Sequence, residues 1–179
     1  EVDAIVNALA GGHVPPGGSG APTRGRVDVL PTGRNFYSVD PLRIPAPPAW
    51  ETGVALGDAL VERYRKDTGG PPDNVGMVIW AGNTMRTLGE DVAQALYLMG
   101  VKPVWEKGSG RVQDVAIIPT IELTFPRVDV TFRTSGLFRD TFPNLMEMLD
   151  DAVRLVAALD EPVETNILRR NVMREVEEL

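Results

Sequence analysis

The chain has 179 residues, 43% of them apolar and 24% charged, the balance of an ordinary globular domain with a sizeable core. It carries no cysteine and one histidine, which excludes disulfides, thiolate chemistry, multi-histidine metal sites and most Ser/His triads. A net charge of −7 with no basic stripe sets nucleic acid aside as a partner, and no apolar run approaches the roughly 18–20 residues of a membrane span.

Glu1-Val2-Asp3 shows no initiating Met and none of the basic and apolar regions of a signal peptide; it reads as a trimmed terminus. The absence of cysteine suits a reducing cytoplasm, the expected location. Residues 1–10 (EVDAIVNALA) place Val2, Ile5, Val6 and Leu9 at helical spacing, and Gly11-Gly12 ends that helix. The Gly/Pro-dense stretch 11–22 (GGHVPPGGSGAP) holds no regular structure for long. Val27 and Val29 mark a short strand, Pro31 and Gly33 a loop, and Pro45, Pro47 and Pro48 an extended segment. A helix is predicted from about Pro48 to Lys66 with Trp50, Val54, Leu60, Val61 and Tyr64 on one side; Pro48 suits its first turn, where a backbone N–H has no partner anyway.

From there the rhythm is α/β. The apolar run 74–80 (NVGMVIW) predicts a strand buried on both faces, and Asn83 or Thr84 caps a helix running to about Met99. Strands follow at 101–105, 112–119 and 127–133, with a helical turn at Pro119-Thr120. A helix spans about Phe142 to Leu159 and a second helical stretch Glu161–Leu179. The alternation predicts an α/β fold, a mainly parallel sheet with helices on both faces. The expected organisation is a helix end and loop over 1–25, an α/β domain over 26–160, and a C-terminal helical segment over 161–179 leading into a further domain.

Polar clusters fall where strands hand over to helices, the place where open α/β sheets bind ligands. In WAGNTMRTLGED (80–91), Thr84, Arg86 and Thr87 are expected in the first helical turn, which favours anions; the plainer reading is a capped helix with a solvated polar end. In TFRTSGLFRDTFPN (131–144), Arg133 and Arg139 flank a glycine turn and could grip carboxylates in two-pronged fashion; the plainer reading is an internal ion pair of Arg139 with Asp140 or Asp129. The loop LPTGRNFYSVD (30–40) gathers Arg34, Asn35, Tyr37 and Asp40. GxxxxGK(S/T) is absent, so the chain is not expected to bind ATP. His13 could hold a divalent metal with carboxylates from elsewhere, or be an exposed loop side chain. Glu90-Asp91 and Asp150-Asp151 point about 100° apart on a helix and read as solvated faces.

The strings GGHVPPG, PTGRNFYSVDPLRIP, VGMVIWAGNTMRTLGEDVAQALYLMGVKPVW and SGRVQDVAIIPTIELTFPRVDVTFRTSGLFRDTFPNLMEMLDDAVRLVAALDEP, with the terminal ETN, resemble the large subunit shared by aerobic cobaltochelatases and magnesium chelatases. The FYSVDP form of the loop resembles the cobaltochelatase branch. The resemblance runs from about Gly11 to Asn166, a small part of a much longer family subunit. It implies a fragment of the subunit that binds the tetrapyrrole: in the cobaltochelatase branch, a ligase placing Co2+ in hydrogenobyrinic acid a,c-diamide for cobalamin synthesis. In the magnesium branch the implied substrates are Mg2+ and protoporphyrin IX. It also implies an AAA+ ATPase subunit that hydrolyses the ATP, a subunit with an integrin I domain, and the rest of the large subunit as partners.

Metal insertion needs a base for the two pyrrole N–H protons and ligands that hold the metal weakly. The resemblance makes His13, Glu90 and Asp140 the candidate bases, with His13 the candidate metal ligand. Arg34, Asn35, Asn83, Arg86, Arg133, Ser135 and Arg139 become candidate contacts to the macrocycle's periphery, and Tyr37, Trp80 and Phe138 to its face. A scaffold or docking module within the large subunit is the competing reading; Arg133 and Arg139 would then be paired within the fold.

Overall fold

The computed structural model describes residues 2–15, 30 and 39–177. The chain falls into two units, Glu1–Asp40 and Pro41–Leu179. In the first, α1 (Val2–Leu9) forms where its spacing predicts, and Val2, Ile5, Val6 and Leu9 make an exposed apolar stripe. The expected strand at Val27 and Val29 lies outside the described residues, as do Arg34, Asn35 and Tyr37.

In the second unit, α2 (Pro47–Thr68) opens on proline and closes at Gly69, whose φ of 90° lets its N–H reach Arg65 O. The face it buries differs from the one expected. Ala49, Gly53, Gly57 and Val61 are buried, one residue every turn, whereas Tyr64 is exposed. The reason is a close helix crossing. A Cβ at Gly53 would lie 2.5 Å from Ala93 Cβ and 2.7 Å from Gln94 N, and one at Gly57 2.7 Å from the Tyr97 ring. Small residues let the backbones approach, and the larger side chains splay to either side of the contact.

β1 (Asn74–Ile79) leads into α3 (Ala81–Thr87) and α4 (Glu90–Leu98). The single helix expected here therefore starts earlier, at Ala81, and breaks at Leu88-Gly89, where φ is 58° and 91°. α4 is the centre of the core: Val92, Ala93, Ala95, Leu96 and Leu98 are all fully buried, between α2 and the strands. β2 (Val101–Trp105) and β3 (Val112–Ile117) pair antiparallel, while β1 and β4 (Asp129–Thr134) pair parallel in the register Asn74↔Asp129 to Ile79↔Thr134. The fold is α/β, with a parallel sheet and helices; the strands divide between two two-stranded sheets. β1 is not buried on both faces, as its apolar run predicts: Asn74, Gly76 and Val78 are exposed and only Ile79 is fully buried.

α5 (Gly136–Thr141), α6 (Pro143–Ala157) and α7 (Ile167–Glu177) complete the unit. α7 is tied back by Arg170–Asp73 at 2.8 Å and by Asn171 Nδ2 donating to Asp129 at 2.9 Å. Beneath its start, Arg127 is completely buried. Its Nε and Nη2 donate to the two Glu161 oxygens at 2.7 and 2.9 Å, Nη1 to Gly100 O at 2.7 Å, and Nη2 also to Ile118 O at 2.8 Å. Buried Asn166 Nδ2 donates to Glu161 and to Val156 O, both at 3.0 Å. A buried guanidinium is tolerable only when its charge and donors are met in this way. Among the described residues no helix is long and apolar enough to cross a membrane.

Candidate functional site

The carboxyl ends of β1 and β4 lie side by side, because Ile79 and Thr134 are register partners. Each strand passes at once into a short helix. Trp80 sits at the N-cap of α3 in extended backbone and makes no side-chain cap, and the residue is 54% exposed. Ser135 caps α5, its Oγ accepting from Phe138 N at 3.1 Å. Gly76 and Val78 on one strand share a face with Thr131 and Arg133 on the other, as the register and the two-residue repeat of strands require, and Trp80 and Ser135 follow at the strand ends. That face is exposed at Gly76, Val78, Thr131 and Arg133.

The three arginines differ in what they are free to do. Arg133 is exposed and has no carboxylate partner among the described residues. Arg86, in the last rather than the first turn of α3, is exposed and donates to the neutral amide oxygen of Asn83 at 3.2 Å, with no carboxylate partner among the described residues. Arg139 is paired with Asp140 at 2.9 Å, both side chains being largely exposed. The Asp140 carboxylate raises the Arg139 pKa by hydrogen bond and charge. The pairing of the plainer expectation is thus present, but at the surface and not inside the fold, whereas Arg133 is left without a carboxylate among the described residues.

Phe138 is not a ring-facing side chain. It is fully buried, 5.5 Å from Phe142 centroid to centroid, because it occupies the inward face of α5; Leu137 beside it is 63% exposed. Glu90 is partly exposed at the start of α4, with no partner for its carboxylate among the described residues; its own N–H donates to Thr87 Oγ1 at 3.3 Å. His13 is exposed in the first unit, its carbonyl accepting from Asn7 Nδ2 at 3.0 Å. Among the described residues no group of three or more His, Asp or Glu side chains is placed to hold a metal ion.

Two groups escaped the sequence reading. Asp91 does not lie on a solvated face: it accepts from the hydroxyl of fully buried Thr84 at 2.9 Å and from Val92 N at 2.9 Å, bridging the break between α3 and α4. Burial pushes its pKa up against those two hydrogen bonds. The buried guanidinium is Arg127, six residues before Arg133, and the nearest sequence signal is the proline before it and Glu161 far downstream. A separate cavity of about 210 Å³ is lined by Leu42, Ile44, Asp114, Glu147, Met148 and Asp151 among others, smaller than the roughly 300–1,000 Å³ of ordinary small-molecule sites.

Comparison with known proteins bears on this arrangement as a whole. The family profile described as CobN/Magnesium Chelatase matches residues 1–179. The chain is 51% identical over 179 residues to the aerobic cobaltochelatase subunit CobN of Pseudomonas aeruginosa, covering 100% of this chain and 14% of that one. It is 41% identical over 180 residues to the magnesium-chelatase subunit ChlH of Oryza sativa subsp. japonica, covering 100% of this chain and 13% of that one. The structure of the catalytic subunit of cobaltochelatase from Mycobacterium tuberculosis superposes with a TM-score of 0.86 at 52% identity, over 99% of this chain and 15% of that one. The chain thus spans about one seventh of the length of these relatives, and it belongs to the CobN/magnesium chelatase family.

Proposed function

We propose that the chain acts as one wall of the tetrapyrrole site in the large subunit of a cobaltochelatase, where Co2+ enters hydrogenobyrinic acid a,c-diamide during cobalamin synthesis in the cytoplasm. The observation that carries the branch is the higher identity to cobaltochelatase subunits, 48–52%, than to magnesium-chelatase subunits, 34–41%. Mg2+ and protoporphyrin IX are the alternative substrates. ATP is hydrolysed by an AAA+ partner, with an integrin-I-domain subunit completing the complex; the missing phosphate-loop motif supports that division.

In this reading the exposed Trp80 indole lies against the macrocycle, with Val78 and Leu137 extending the apolar contact. Arg133 and Arg86 grip peripheral carboxylates, since neither guanidinium is neutralised by a carboxylate among the described residues. Asn83 and Ser135 offer neutral polar contacts, and Arg34, Asn35 and Tyr37 are further candidates. Glu90 is favoured over Asp140 as acceptor of the pyrrole protons, because Asp140 is committed to Arg139. His13 is proposed as a ligand that hands the metal over. The Arg139–Asp140 pair favours a second reading in part, a scaffold module whose polar groups serve packing.

The test is a titration of the folded chain with each macrocycle, followed by tryptophan fluorescence. Saturable quenching that Trp80→Phe abolishes and Arg133→Ala weakens is expected. An unquenched signal from a chain that remains folded by circular dichroism means that the site needs the rest of the large subunit, and unchanged macrocycle affinity of the full-length subunit on Arg133→Ala then refutes a contact on this surface.

A further inference from the structure

We infer that the outer edge of β1 is an acceptor for a further β-strand, supplied by the part of the full-length subunit that lies outside this span. The argument is independent of the chemistry assigned to the site. Among the described residues β1 pairs only with β4, in a parallel sheet of two strands. Parallel sheets are found with more strands and with both faces covered, because their pairing is weaker and their connections bring helices onto each face. Here one face, at Gly76 and Val78, is exposed, and among the described residues beyond its chain neighbours nothing lies within 4 Å of the place a Gly76 Cβ would take.

The composition of β1 separates a true edge from an interior one. Strands that end a sheet in a free protein carry a charge, a proline or a bulge that repels a new partner. The β2–β3 pair has all three: Lys102 and Pro103, Asp114, and a register break between Val104 and Trp105. β4 has Asp129 and Arg133. β1, NVGMVI, has none, and its register with β4 is continuous. An uncharged partner segment rich in β-branched residues fits such an edge. At 15% of the length of the Mycobacterium tuberculosis subunit, the span leaves most of that chain to supply one. The added strand would end beside Trp80 and extend the exposed face.

Hydrogen exchange resolved to single amides of β1 tests this in two samples, the 179-residue chain and the full-length Mycobacterium tuberculosis subunit. The β1 amides bonded to β4 report that each sample is folded. In the shorter chain, the alternate, outward-pointing amides should exchange at loop-like rates; in the full-length subunit, they should slow by about 100-fold or more. Fast exchange of the outward set in the full-length subunit overturns the inference. Slow exchange of that set in the shorter chain also overturns it, since the edge would already be occupied.

Discussion

Replacing Glu161 by Gln tests the buried hub directly. The substitution keeps the shape of the side chain and removes the charge that answers Arg127, which is 0% exposed. Removing one partner of a buried ion pair costs about 3–5 kcal/mol, because the remaining charge is stranded. Two features of this pair point to the lower end. Glu161 keeps 18% of its side-chain exposure, and the Gly100 and Ile118 carbonyls still hold the guanidinium. The expected loss is therefore about 3 kcal/mol, a large share of the roughly 5–15 kcal/mol that holds a domain together. Urea unfolding followed by circular dichroism at pH 7 should show the midpoint falling by about 1–2 M for an ordinary dependence on urea. The acid limb gives an independent check. Hydrogen bonds from Arg127 lower the Glu161 pKa below the usual range. The pair's contribution is thus complete above the unfolded value of about 4.3 and is lost as pH falls through the lowered folded value. The gap between variant and wild type should narrow over that same window. A midpoint shift at pH 7 of less than about 0.3 M, under about 1 kcal/mol by the same conversion, would refute the reasoning.

Gly53→Ala should destabilise the protein by about 1–3 kcal/mol despite the better helix propensity of alanine, because the new methyl meets Ala93 and the α4 backbone. Gly76→Ala, with open space around it, should change the melting temperature little. Asp91→Asn should flatten part of the pH dependence of stability. The folded carboxyl has a raised pKa, so its contribution is full below the ordinary Asp value and lost as pH rises through the folded value; urea midpoints measured upward from pH 4 read this out. In the macrocycle titration, Arg133→Ala should weaken binding by about tenfold, as a lost charge-assisted contact does. Arg139→Ala should change it less, since Asp140 already neutralises that guanidinium; equal effects would remove the distinction between the two arginines.

The element order from α2 to α7 was legible because apolar spacing, prolines and glycines act locally. Pro47 opens α2, Gly69 closes it, and the alternation of strand and helix announces the fold class. Two features were read differently from what the structure shows. The large side chains of α2 suggest one buried face while Gly53 and Gly57 supply another, since a glycine contributes to burial only through what approaches it. The break at Leu88-Gly89 is hidden in a continuous helical pattern, and Gly89 is required there by the approach of Ile44 and Pro45.

For the candidate site, the residues near the strand ends are readable along the chain, because a chain that leaves a strand for a helix must turn there. Family motifs carried by Trp80, Asn83, Arg86, Arg133 and Ser135 belong to that level. Which side chains around those ends are free is set by packing in the folded chain. Phe138 turns inward against Phe142, Arg139 is taken by Asp140, and Arg133 is exposed with no carboxylate partner among the described residues. The same holds for the buried charge: Arg127 and Glu161 lie 34 residues apart in the chain, and no local pattern links them. Exposure and pairing depend on what the rest of the fold brings alongside, and that information is not carried by the spacing of residues along one element.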